Sequence, residues 1–222
     1  MIHPSAIVDP KAQIAESAEI GPYCVIGPEV TIGERTRLLA HVFMDGRLTI
    51  GDDNMFFPYS TIGVGSQDLK YHGEPSETRI GHRNQIREFV TIHRGTEGGG
   101  MLTSVGHHTV LGHAATIGGH VTIGDWAIVS ASSGVHQFCR IGRHAFVGGY
   151  SVITQDVLPY SNTVTAREAK VFGENSTGLK RRGFSAESID ALHKAFRLLS
   201  HSNLNTTQLI GDIRTAERGF IK

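Results

Sequence analysis

Seven of the 13 histidines in this chain of 222 residues fall in its central part: His93, His107, His108, His113, His120, His136 and His144. Imidazole gives and takes protons near neutral pH and is a common metal ligand. Zinc, however, needs three or four ligands in a tight tetrahedral set. No carboxylate or third histidine is spaced to complete a set with His120 and His136, so no metal site is expected. Proton transfer and hydrogen bonding suit isolated imidazoles better. The densest stretch is SGVHQF, Ser133 to Phe138, which puts an imidazole, an amide and an aromatic ring in a row. A second polar stretch carries Gln67, Asp68, Lys70 and Tyr71. A third, LKRRG from Leu179 to Gly183, is a basic cluster whose guanidinium groups suit phosphate. There is no G-x-S-x-G motif, no P-loop and no dinucleotide fingerprint. A serine nucleophile is therefore unsupported, and no cofactor is implied.

The elements that must position these groups follow from a six-residue period. Apolar residues recur at Val8, Ile14, Ile20, Ile26, Ile32, Leu38, Met44, Ile50, Phe56 and Ile62. The series resumes at Ile80, Ile86 and Ile92, and again from Val105 through Leu111, Ile117, Ile123, Val129, Val135, Ile141 and Val147 to Ile153. Glycine follows many of these rungs, as at Gly21, Gly27, Gly33, Gly112, Gly118 and Gly124. Neither a helix nor an ordinary strand repeats at six; a hexapeptide β-helix does. Each short strand points one apolar side chain inward, and three hexads close a triangular coil of about 18 residues. The predicted fold is all-β: a left-handed parallel β-helix over 1–158, with loop insertions near 64–79 and 93–104, and a C-terminal α-helical domain over 159–222. The interval from Ile62 to Ile80 equals three hexads, a spacing that keeps the ladder's phase. In the C-terminal part, Ser185 is placed to cap a helix carrying Ile189, Leu192, Ala195, Phe196 and Leu199, and Thr207 to open a shorter one through Leu209, Ile210 and Ile213.

Composition bounds the function. Lys plus Arg and Asp plus Glu are each 21, for a formal net charge of 0, which argues against a nucleic-acid partner or a membrane-surface binder. Cys24 and Cys139 form no CxxC pair, which fits a reducing compartment. The start, MIHPSAIVDP, lacks the pattern of a secretory signal, and no apolar run is long enough to cross a bilayer as a helix. A cytoplasmic protein with no integral membrane segment is expected.

Several stretches carry a closer likeness: SQDLKYHGEPS, IREFVTIHRGT, GGH, SGVHQFCRIG, AFVGGYS and GLKRRGF. Together they resemble the UDP-N-acetylglucosamine 3-O-acyltransferases of lipid A biosynthesis, over nearly the whole chain. The resemblance implies a homotrimer with active sites between neighbours. It implies transfer of a 3-hydroxyacyl group from acyl carrier protein to the glucosamine 3-hydroxyl. The family's nucleotide-sugar contacts carry over to Asp68, His120, Gln137, Asn175, Arg181 and Arg182. Lys70, His93 and Arg94 match loop regions near the site, His136 matches the histidine of HQF, and Gly149 the position that measures acyl-chain length. Two departures stand out. Near the end LIGDIR meets TAERGFIK where the family usually has another helix between, which implies a shortened C-terminal domain. The larger departure lies upstream. Family members carry a segment reading roughly H-x-x-H-D on the coil before GGH, and its second histidine is the general base. Here VGHHTVLGHAATIGGHV runs from Val105 straight to the GGH coil, so one turn of about 18 residues is missing. The surviving candidates for the base are His120, then His113 and His136. Weakened acyl transfer is one expectation. The alternatives are a non-catalytic trimer that binds UDP-sugar or acyl carrier protein, and transfer to a 3-amino group.

Overall fold

Strands of two residues, such as Ile7–Val8 and Gln13–Ile14, are too short to stand alone. Each therefore lies in parallel register on the strand one coil away, Ile7 on Val25 and Ile14 on Ile32. Repetition of this pairing winds the chain into a left-handed β-helix of three parallel sheets, in a computed structural model that describes residues 1–164 and 175–201. The first face runs from Ile7–Val8 through Thr61–Val64, Thr91–His93, Thr116–Ile117 and Gly134–Val135 to Val152–Ile153. The second runs from Gln13–Ile14 through Glu77–Ile80 and Leu102–Val105 to Arg140–Ile141, and the third from Glu19–Ile20 to Asn162–Thr163. The predicted rungs fill the core: Ile20, Leu38, Phe56, Ile86, Leu111, Val129 and Val147 stack down the third face, all buried.

The corners explain the glycines. A Cβ on Gly112 would lie 2.6 Å from the Ala131 nitrogen, and one on Gly118 would lie 2.8 Å from the Gln137 nitrogen. These glycines are needed because the next coil's backbone passes close by; neither has positive φ. The left-handed conformation falls two positions later, on residues with side chains: Tyr23, His41, Tyr59, Trp126, Phe138 and His144 among others. That conformation costs roughly 1–2 kcal/mol per residue. It is offset by a hydrogen bond to the coil below, as from His41 N–H to Pro22 O (2.9 Å) and Trp126 N–H to His107 O (2.8 Å). Ring stacking adds to this. Tyr23, His41, Tyr59 and Phe89 stack 5.0–5.1 Å apart along the third corner, between the third and first faces, and His108, Trp126, His144 and Tyr160 stack along the second, between the second and third faces.

The structure corrects the reading of Ile62 and Ile80. They are not one coil apart: Ile62 is on the first face, where it pairs with Ile92, and Ile80 is on the second, where it pairs with Ile50. The step between them covers a single corner, normally one hexad, and the surplus is the loop at 65–76. The helix also continues past residue 158, because Asn162–Thr163 still pairs with Phe146–Val147. The chain divides into two compact units at Arg167 and Glu168. In the second unit, α1 spans Ser176–Arg181 and α2 spans Ala186–His201. Ser185 caps α2 as expected, its Oγ accepting from the Ser188 N–H (3.2 Å), and Ile189 is buried. The helix expected after Thr207 lies outside the described residues. Among those described, no helix is long and apolar enough to cross a membrane.

Candidate active site

Both insertions leave the same corner, between the first and second faces. The loop at 65–76 joins Thr61–Val64 to Glu77–Ile80, and the one at 94–101 joins Thr91–His93 to Leu102–Val105. On the coils that follow, Gly118, Gly119 and His120 turn this corner, and then His136 and Gln137. The result is a cleft of about 410 Å³ lined by Ser66, Gln67, Asp68, His93, Thr116, Gly118, Gly119, Gly134, Val135, His136, Gln137 and Val152. Asp68 and the adjacent pair His136 and Gln137, far apart in sequence, thus share one cavity. Sequence reasoning missed Thr116, Gly134 and Val152. Their spacing of one coil each was the available signal, since it makes them one vertical column on the first face.

The first loop is folded by its own polar groups. Asp68 Oδ1 accepts from the Lys70 N–H (3.0 Å), and Ser66 Oγ accepts from the Asp68 N–H (3.2 Å). His93 ties this loop to the first face. Its Nδ1 lies 3.0 Å from Gly65 O and its Nε2 3.2 Å from Gln67 Nε2. A carbonyl only accepts, so Nδ1 carries the proton, and Nε2 accepts from the Gln67 amide. His93 is buried, and this pairing engages both of its nitrogens. Arg94, which opens the second insertion, lies over the Tyr71 ring at 5.8 Å and ties the two insertions together.

The three candidate bases have different surroundings. His120 is only 7% exposed, and its Nε2 accepts from the Thr96 N–H at 2.7 Å, with Thr96 Oγ1 3.0 Å away. Its ring stacks on Phe138 at 4.3 Å and sits against Gly95, where a Cβ would come within 2.5 Å of Cε1. It does not line the cleft. His136 does, and it is exposed. Its Nδ1 is 3.1 Å from Gln137 O. Nδ1 must therefore be the donor, which makes Nε2 the unprotonated nitrogen of the neutral ring. His113 lies at the third corner, edge-on to Phe89 and 4.0 Å from Glu88. The Glu88 backbone N–H and, after it, the Arg87 guanidinium hold the Glu88 carboxyl below the usual carboxylate range.

Within the first unit, Lys70 and Gly149 do not line this cleft. Lys70 is exposed on the first loop, and Gly149 lies at the third corner, where a Cβ would meet Ala131 O at 3.1 Å. Asn175, Arg181 and Arg182 belong to the second unit. Asn175 caps α1, its Oδ1 accepting from the Gly178 N–H (3.0 Å), and Arg181 and Arg182 are exposed at the other end of that helix. Among the described residues no three His, Cys, Asp or Glu come together to hold a metal ion.

The stacking bears on the expected missing turn. Thr91 pairs with Thr116 and Ile92 with Ile117, so the coil carrying IHRG and the coil carrying GGH are immediate neighbours.

Residues 1–34 match the bacterial transferase hexapeptide repeat, and residues 156–219 match domain 2 of the UDP-N-acetylglucosamine O-acyltransferase family. The chain is 46% identical, over 92% of its length and 84% of the relative's, to an acyl-[acyl-carrier-protein]–UDP-N-acetylglucosamine O-acyltransferase of Burkholderia lata. It is 42% identical to the protein of the same description from Myxococcus xanthus, over 98% of this chain and 91% of that one. Its fold matches the solved LpxA of Acinetobacter baumannii with a TM-score of 0.69 at 38% identity, covering 96% of this chain and 89% of that one. On the repeat, the two matched segments and this identity over almost its whole length, the chain belongs to the UDP-N-acetylglucosamine O-acyltransferase family.

Proposed function

We propose that this chain transfers a 3-hydroxyacyl group from acyl carrier protein to the 3-hydroxyl of UDP-N-acetylglucosamine, the first step of lipid A biosynthesis. The observation that carries the reading is the shared cleft: Asp68, His136 and Gln137, matched to the family by motif, line one cavity together. The relatives' names point to the same donor and acceptor. Asp68 and Gln137 offer a carboxylate and an amide to the hydroxyl and amide groups of a sugar nucleotide. By motif, Arg181 and Arg182 of the second unit match the family's nucleotide contacts, and forked guanidinium groups suit a phosphate.

The sugar oxygen attacks the thioester carbonyl directly, within a ternary complex, while an imidazole takes its proton. Holding both substrates in register supplies much of the rate, and general-base catalysis adds about 10²–10⁴-fold. The protein works as a cytoplasmic homotrimer. Asp68→Ala tests the site. It is expected to raise KM for the sugar nucleotide about tenfold or more, in line with one lost hydrogen bond to a charged group. An unchanged KM would remove Asp68, and this cleft, from substrate binding.

A further inference from the structure

We propose that His136 is the proton acceptor of this chain, and that the shortened helix has turned His120, the GGH histidine, into a structural prop. The proposal rests on the acyl-transfer reading and deepens it.

The geometry separates the imidazoles by availability. With the IHRG and GGH coils stacked directly, the second insertion folds back so that the Thr96 N–H donates to His120 Nε2 (2.7 Å). The His120 ring is clamped between Phe138 and Gly95, and only 7% of the residue is exposed. A proton arriving at Nε2 would have to displace the Thr96 N–H from its acceptor. His93 lines the cleft, but its nitrogens hold the first loop, through Gly65 O and Gln67. His136 alone among these three is exposed as well as lining the cleft. Its Nδ1–H is spent on Gln137 O (3.1 Å), which fixes the tautomer with the basic lone pair on Nε2. A backbone carbonyl that orients an imidazole in this way is a common arrangement for a general base. Asp68 lines the same cleft, and its Oδ1 is occupied by the Lys70 N–H.

The step balances without any further reactant. As the sugar O3 forms its bond to the thioester carbon, its proton passes to His136 Nε2. The tetrahedral intermediate collapses with cleavage of the C–S bond, and the leaving thiolate takes the proton back from the imidazolium. The neutral ring is thereby restored for the next turnover.

The experiment compares wild type, His136→Ala and His136→Gln with 3-hydroxyacyl carrier protein and UDP-N-acetylglucosamine, and reads kcat, KM and the pH profile. Both variants should lose about 10²–10⁴-fold in kcat, with KM for the sugar nucleotide within about threefold of wild type, as expected when a transition-state interaction is removed. The acid limb of the wild-type kcat/KM profile should vanish in both, and added imidazole should restore part of the His136→Ala rate. Turnover within about tenfold of wild type in either variant, or a loss confined to KM, overturns the assignment. So does a kcat loss of that size in His113→Ala with His136 variants unaffected, since a neighbour could supply that residue. A wild type that turns nothing over overturns the acyl-transfer reading and the assignment with it, which distinguishes the two failures.

Discussion

Replacing His120 by alanine tests whether that residue is a prop or a base. Two losses can be read from its contacts. The buried Thr96 N–H loses its acceptor, which costs about 1–3 kcal/mol. The stack on Phe138 is lost, worth about 0.5–1.5 kcal/mol beyond the area it buries. Water entering at the exposed edge of the ring's site would recover part of the first loss, so about 1–4 kcal/mol is the expected total. For a chain of this size that lowers Tm by roughly 2–15 °C. The assay is thermal unfolding by circular dichroism, alongside kcat at a temperature where the variant is fully folded. His120→Asn should recover part of the stability, because its amide oxygen can accept from the Thr96 N–H. A variant that melts with wild type while kcat falls by about 10² or more would refute the reasoning, because it would make His120 a base rather than a support.

Two further outcomes follow from charge and burial. The Arg35 guanidinium donates two hydrogen bonds to Asp53 (2.7 and 2.9 Å) and holds its carboxyl below the ordinary value. A depressed folded-state pKa gives stability that is present above the unfolded value, about 4, and is lost as pH falls through the folded one. Asp53→Asn should therefore flatten the acid side of a plot of Tm against pH, an effect that salt diminishes because the pair is exposed; an unchanged acid limb would contradict it. Burial pushes the Cys24 and Cys139 thiols up, and both side chains are enclosed in the core. Iodoacetamide at mildly alkaline pH should label neither in the native protein and both in urea, as read by intact mass; labelling of either in the native state would show that its coil opens.

The fold was legible because its period is carried by side chains that cannot be exchanged freely. An apolar rung every sixth position with glycine after it admits one geometry, and the stacked series Ile14–Ile32–Ile50 and Ile117–Val135–Ile153 realise it. What misled was arithmetic without topology. The interval from Ile62 to Ile80 imitates a coil but spans one corner and a loop, and counting along the chain does not distinguish the two. Of the residues that the motifs single out, Asp68, His136 and Gln137 do line one cleft. The surroundings of the histidines were not legible. His120 ranks first as a base on its motif alone, but its burial depends on where the second insertion puts Thr96, which the six-residue pattern leaves open. The tautomer of His136 likewise depends on a single backbone carbonyl, Gln137 O, that no side-chain pattern encodes.

A β-helix in which the IHRG and GGH coils are direct neighbours should still be an acyltransferase. The most direct measurement is multiple-turnover conversion of UDP-N-acetylglucosamine by the purified protein with excess 3-hydroxyacyl carrier protein, with the product identified by mass. Many equivalents of O-acylated sugar nucleotide per protomer are expected, with the acyl group on the 3-oxygen. Saturable binding of the sugar nucleotide without product would contradict it and leave a binding trimer in its place.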